Sequence, residues 1–417
     1  AITTMLLRAT SRRLTHVTRR TISSTRGEGV AGFKVMEVLN AANIMEAGGA
    51  DVLHMEVGQP STPAPPTARR VAEAALSRDE ALGYTSANGL PAVKERIAQW
   101  YLDRHGSVVD PDRIVVTTGS SAGFILSFLA LFDAGDKVGV PSTAYPCYRN
   151  VLRVLGVEPV PLAGDASNPR SGFGFPQPSD ITSDLKGLIL SSPSNPTGAT
   201  LSADELQKLA ETCSSKGVKF ISDEIYHHIV YGDEKSASAV DLDGALVINS
   251  FSKYFSMTGW RIGWLVLPKN DPSLSGAIER LQQNLFINAP HVSQIAAAAS
   301  FDDVESTLEG HVAVYDQNRK TVLDALAKMG VSPDHIAPCR GAFYVYVDLG
   351  AHGVTDAPAL CHKLLADTGV AITPGVDFEF DEAIGKRRVR VSYCGAPSDV
   401  ERAMEKLVEW WAAGKYK

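Results

Sequence analysis

The sequence predicts an α/β fold, a large domain with a mostly parallel sheet flanked by helices, joined to a smaller α+β domain. Two observations carry this reading. Between residues 113 and 267, short apolar runs rich in β-branched residues recur, each ending in small or polar residues, and helical segments separate most of them. Beyond residue 300 the order changes to one long helix followed by alternating strands and helices.

The first set of runs comprises Arg113–Thr118, Lys137–Val140, Gly187–Ser192, Val218–Asp223, Ala245–Ser250 and Gly263–Leu267. Continuous apolar runs suit strands covered on both faces, as in parallel sheets. Ser202–Lys216 reads as a helix, because Ser202 can cap its first turn and Glu205 completes a capping box. In such sheets ligands sit beyond the carboxyl ends of the strands. In the second region, residues 305–329 predict a long helix. Then follow a strand over Gly341–Asp348, a helix over Ala357–Asp367, a strand over Arg387–Tyr393 and an amphipathic helix from Ser398. The predicted organisation is an N-terminal arm (28–60) contributing to the small domain, a large ligand-binding domain (61–315) and a small domain (316–417), with the boundary inside the long helix.

Composition narrows the class. The 417 residues are 44% hydrophobic and 21% charged, which excludes a disordered chain and a membrane-embedded one. The longest apolar stretch, Ala122–Phe132, is broken by Ser127 and too short to span a bilayer. Five scattered cysteines without a CxxC pair predict reduced thiols and no metal site. Residues 1–27 contain no acid but hold Arg8, Arg12, Arg13, Arg19, Arg20 and Arg26 among many Ser and Thr. That composition predicts a transit peptide, cut near Arg20-Thr21-Ile22-Ser23-Ser24, and a mitochondrial-matrix or plastid enzyme. The alternative is a basic arm on a cytoplasmic protein, binding nucleic acid or acidic membrane. Removing residues 1–22 takes away five Arg and moves the net charge from −7 to −12. So acidic a body predicts neither nucleic acid nor membrane as the main partner.

Polar clusters at the strand ends carry the chemistry. Lys253, in Ser250-Phe251-Ser252-Lys253, follows a buried strand, where an amine loses its proton more readily and can form a Schiff base. Standing alone, a lysine there is usually a solvated surface group. Asp223 ends another strand, and a buried carboxylate needs a cationic partner such as a pyridinium nitrogen; alone it reads as a helix cap or a structural ion pair. Gly119-Ser120-Ser121 opens a helix whose free N–H groups favour a phosphate, and Arg261 can supply the counter-charge. Asn195, in Asn195-Pro196-Thr197-Gly198, and Tyr226 can hydrogen-bond a ring oxygen. Asn-Pro-Thr-Gly by itself is a turn.

Gly119-Ser120-Ser121-Ala122-Gly123 also matches the G-x-S-x-G nucleophile elbow. That alternative is a serine hydrolase with Ser121 as nucleophile, Asp223 as acid and His291 or His311 as base, and it leaves Lys253, Arg261, Asn195 and Tyr226 without a role. A catalytically silent binding protein is a third class.

Asn195-Pro-Thr-Gly198, Asp223-Glu-Ile-Tyr226, Ser250-Phe-Ser-Lys253 and Met257-Thr-Gly-Trp-Arg-Ile-Gly263 resemble, in order and spacing, the signatures of class I/II pyridoxal-phosphate-dependent aminotransferases of fold type I, the aspartate aminotransferase superfamily. The similarity runs from about Phe33 to the C-terminus. It implies pyridoxal 5'-phosphate as cofactor, and transfer of an amino group between an L-amino acid and a 2-oxo acid through a Schiff base on Lys253. It implies that Asp223 pairs with the pyridine nitrogen, that Asn195 and Tyr226 bond the ring oxygen, and that Ser120, Ser121, Ser250, Ser252 and Arg261 hold the phosphate. Tyr145 falls where the family stacks an aromatic ring on the cofactor, and Tyr84 where a tyrosine reaches the neighbouring subunit's phosphate, which implies a homodimer with shared sites. Arg390 resembles the carboxylate-binding arginine, with Gly58 bringing its backbone against the same group. Arg388 points to the same face by strand period, so the resemblance alone separates the two. β-Eliminating C–S lyases and cyclopropane-carboxylate synthases share the cofactor residues and are the alternative reactions.

Overall fold

A computed structural model describes residues 24–79, 81–163, 173–269 and 271–416. Twelve strands occur among them: β1 (Leu53–His54), β2 (Ile114–Thr117), β3 (Lys137–Pro141), β4 (Glu158–Leu162), β5 (Gly187–Ser191), β6 (Lys219–Asp223), β7 (Ala245–Ser250), β8 (Gly263–Val266), β9 (Tyr344–Asp348), β10 (Val370–Ala371), β11 (Thr373–Pro374) and β12 (Arg388–Ser392). The six apolar runs, joined at one edge by β4, make one seven-stranded sheet in the order β2-β8-β7-β6-β5-β3-β4. β8 runs antiparallel to both β2 and β7, and the remaining pairs are parallel. In β7 the side chains alternate between two cores, Val247 on one side and Leu246 and Ile248 on the other. Covering helices are therefore required on both faces. The helix Ala203–Ser215 begins as predicted, with Ser202 Oγ accepting the Glu205 N–H and the Glu205 carboxylate accepting the Ser202 N–H at 2.9 Å.

The second half departs from the sequence reading at its element ends. Residues 304–308 form a π-helical turn before the α-helix Glu309–Lys328, so the long helix starts later than its apolar pattern suggests. β9 starts at Tyr344 because Ala342 takes φ +56°, off the extended strand conformation. β9, β12 and β11 form an antiparallel sheet, with Arg390 of β12 opposite Tyr346 of β9. β1 pairs in parallel with β10, Leu53 beside Val370, which brings the 53–58 segment against the C-terminal part of the chain. Among the described residues no helix is long and apolar enough to cross a membrane. All five cysteines are buried and unpaired.

Candidate active site

The carboxyl ends of the parallel strands and the 53–58 segment enclose a cavity of about 260 Å³. Lys253, Asp223, Tyr226, Asn195, Ser120, Ser121, Ser252, Tyr145, Arg261, Arg390 and Gly58 all line it.

Asp223 closes β6 and is 2% exposed. The Tyr148 hydroxyl donates to its Oδ2, and the Ile225 N–H to its Oδ1 at 3.1 Å. Among the described residues no Lys, Arg or His forms an ion pair with it. Burial pushes its carboxyl up to about 6, against the opposing pull of the Tyr148 and Ile225 hydrogen bonds and of Lys253. A carboxylate this deep with donors but no cation suits a protonated ring nitrogen.

Lys253 follows β7, and its Nζ donates to the Gly58 carbonyl at 2.6 Å. It also lies 5.9 Å from the ring centroids of both Tyr226 and Phe343. Burial, with Arg390 and Arg261 nearby, pushes the amine down to about 8, so an appreciable fraction is neutral at physiological pH.

An anion cradle faces these two groups. The helix Gly119–Leu131 opens with Gly119 at φ +72°, where a Cβ would fall 2.3 Å from Arg261 Nη2. Only glycine lets that guanidinium approach the helix's free N–H groups, and both favour a phosphate. Ser252 lines the cavity, whereas Ser250 stands behind it: Ser250 Oγ accepts the Ser252 N–H at 3.1 Å and lies 2.9 Å from Ser252 Oγ.

At the opposite end Arg390, 4% exposed, donates from Nη1 to Asn195 Oδ1 at 2.9 Å and from Nη2 to the Glu56 carbonyl, and its buried Nε has no hydrogen-bond partner. Its neighbour on the same strand face is committed elsewhere. Arg388 pairs with Asp348 at 3.1 Å and Glu379 at 2.9 Å and does not line the cavity. Strand period alone gave these two arginines equal standing; the distant acids separate them.

Tyr84 stands apart, 88% exposed and not lining the cavity of its own chain. Among the described residues no histidine lines the cavity with Ser121; His291 Nδ1 lies 2.9 Å from the Gly83 carbonyl instead. Two tyrosines that bear on the site were not singled out from the sequence. Tyr148 lies one turn beyond Tyr145 on the helix Pro146–Val154, and its helical spacing was the available signal. Tyr344, whose hydroxyl is 2.8 Å from that of Tyr226, sits in a strand that reads as plain core.

The donor set fits pyridoxal phosphate: an amine for its aldehyde, a buried carboxylate for its ring nitrogen, and hydroxyls, N–H groups and a guanidinium for its phosphate.

Comparison with known proteins gives the same direction. The family model for aminotransferase class I and II matches residues 50–407. A Mycobacterium tuberculosis protein named valine–pyruvate aminotransferase is 43% identical over 390 residues, covering 92% of this chain and 97% of its own. A (5-formylfuran-3-yl)methyl phosphate transaminase of Methanocaldococcus jannaschii is 34% identical over 387 residues, 91% of this chain and 96% of its own. The crystal structure of an aminotransferase from Mycobacterium tuberculosis superposes with a TM-score of 0.87 at 42% identity, over 94% of this chain and all of that one. These relatives overturn one expectation. They are bacterial and archaeal proteins, from cells without mitochondria or plastids, so the organelle assignment and its transit peptide are withdrawn. A basic, Ser/Thr-rich composition is not peculiar to transit peptides, and residues 1–23 lie outside the described residues.

Proposed function

Because this chain belongs to the class I and II aminotransferases and is a pyridoxal-phosphate-dependent enzyme, we propose that it takes its amino group from an L-amino acid with an apolar side chain, using Lys253, Asp223 and Arg390 as the working residues. The convergence of these three groups and the anion cradle on one cavity carries the reading. When bound, pyridoxal phosphate supplies the sink for the electron pair released at the substrate's Cα. Lys253 would hold the cofactor's aldehyde carbon covalently and, once displaced by substrate, take the proton from Cα. Asp223 would keep the ring nitrogen protonated, and Asn195 and Tyr226 would bond the ring oxygen. Ser120, Ser121, Ser252 and Arg261 would hold the phosphate, with Ser250 fixing Ser252. Tyr145 would lie on the ring. Arg390 would take the α-carboxylate bidentately, beside the Gly58 backbone.

The side-chain preference follows from what is left over. Phe33, Val35, Met36, Ile225 and Phe378 line the cavity, and its three cations, Lys253, Arg261 and Arg390, each have a place in this scheme. Asp377 faces in as a further acid, accepting the Lys34 and Val35 N–H groups at 2.8 Å. Among this chain's described residues, a second carboxylate on the substrate would find no further cation in the cavity, and burying it unpaired costs several kcal/mol. The name of the valine–pyruvate relative supports the same preference. A panel of donors with pyruvate and 2-oxoglutarate should give valine a kcat/KM at least about 10²-fold above aspartate. Comparable values for the two would reject it. In Arg390→Ala, amino acids should lose roughly 10²-fold or more while amines lacking a carboxylate lose far less, since truncating one side of a buried charge pair costs about 2–5 kcal/mol. Equal losses would make Arg390 a structural residue.

A homodimer with shared sites is part of the proposal, supported by the outward placement of Tyr84. Mixing inactive Tyr84→Phe and Lys253→Ala subunits should recover part of the activity. No recovery after demonstrated subunit exchange would count against sharing. The division into an arm (28–60), a large domain (61–315) and a small domain (316–417) is likewise proposed, supported by the pairing of β1 with β10.

A further inference from the structure

Outside the cofactor cavity, three histidines meet where the helix Pro91–His105 ends against the turn that follows β6. One ring nitrogen from each of His105, His227 and His228 lies within 4.8 Å of the other two. His227 is 3% exposed, and neither of its ring nitrogens reaches hydrogen-bond geometry, although the Ala237 backbone lies near enough to interact with the ring. Nε2 of His105 and of His228 are buried and unpartnered too. Buried ring nitrogens ordinarily find partners, so four orphans in one cluster require an explanation. From these nitrogens we infer a binding site for a divalent transition metal of borderline softness, zinc being the type case, held by His105, His227 and His228.

The surroundings suit such an ion. Three neutral imidazoles are a known donor set for zinc, which leaves its fourth position to water. That position has an outlet, since His105 and His228 line a separate, solvent-open cavity of about 930 Å³. Glu224 stands behind the cluster, its Oε2 3.3 Å from Nδ1 of His227 and already accepting from the Ser238 hydroxyl at 2.9 Å, so an acid lies within reach of the ring without yet bonding it. Asp241 adds negative charge near His105. Arg104 opposes it, but its guanidinium is paired with Glu309 at 2.9 Å. Trp100 packs edge-on against His228, ring centroids 4.7 Å apart, shielding one side. For Zn–N bonds of about 2.0–2.1 Å in a tetrahedron the nitrogens must close to about 3.3 Å, so the rings turn inward on binding. The ion then ties the end of the helix to the turn that carries Tyr226.

The test uses the holoenzyme, freed of adventitious metal by a chelator and titrated with zinc chloride in a calorimeter. One zinc per chain is expected, and the association constant should fall at least about 10²-fold in His105→Gln and in His228→Gln with unchanged circular dichroism. Binding that both substitutions leave intact, or no binding above that of the double variant, overturns the site. Should either variant fold poorly, X-ray absorption at the zinc edge of the wild-type protein decides. Three imidazole nitrogens in the first shell support the site, and fewer than three overturn it.

Discussion

Lys253→Ala is expected to lose transamination by on the order of 10⁴-fold, because one substitution removes both the covalent anchor of the cofactor and the base at Cα. Borohydride treatment followed by mass spectrometry should add the reduced cofactor's mass to Lys253 in the wild type and to no residue in the variant. A variant that keeps a few per cent of wild-type activity, or a wild type whose Lys253 stays unmodified, would remove this lysine from the chemistry. The same residue sets a pH signature. An amine attacks an aldehyde only when neutral, and burial brings Lys253 down to about 8 from 10.5. Cofactor capture by the stripped wild-type protein should therefore quicken with rising pH and level off above about pH 8. A rate that continues to climb towards pH 10 would mean an ordinary, solvated amine.

Asp223→Ala should lower turnover by about 10²-fold or more while the cofactor remains bound through its phosphate, since only the charge opposite the ring nitrogen is lost. The cost reaches beyond that pairing. The buried Tyr148 hydroxyl loses its acceptor, a penalty of about 1–3 kcal/mol that should appear as a lowered Tm of the cofactor-free protein. Asp223→Asn, which keeps an acceptor for Tyr148, separates the two effects: it should restore the Tm and leave turnover low. Turnover near wild type in either variant would show that the carboxylate is not needed.

The large sheet was legible because each of its central strands is a continuous apolar run closed by a small or polar residue, a pattern that survives without knowledge of partners. The strands that escaped lack such a pattern. β4 contains Pro159 and Pro161, which remove ladder donors and fit only a sheet edge, where β4 lies. β1 and β10 are two residues each and pair across more than three hundred residues of sequence, so neither has a period to detect. The gathering of Lys253, Asp223, Arg261 and Asn195 in one cavity follows from their positions at strand ends. The separation of Arg390 from Arg388 does not, because it depends on Asp348 and Glu379 arriving from β9 and from the loop before β12. The histidine cluster was invisible for a similar reason: His105 is more than a hundred residues from its companions, and adjacent histidines alone suggest no third ligand.

One contact pattern at the site bears on which kinds of sequence change it tolerates. Lys253 and Arg390 are both tethered to main-chain oxygens, of Gly58 and Glu56 respectively, within a single three-residue stretch. Carbonyl tethers outlive the replacement of the side chains beside them, so an alanine scan of that stretch would understate its importance. Gly58 is the exception, since a Cβ there would collide with the Tyr344 hydroxyl at 1.7 Å. Inserting or deleting one residue between β1 and Gly58 would instead pull both cations out of register at once, so evolution can vary the letters of this stretch far more freely than its length.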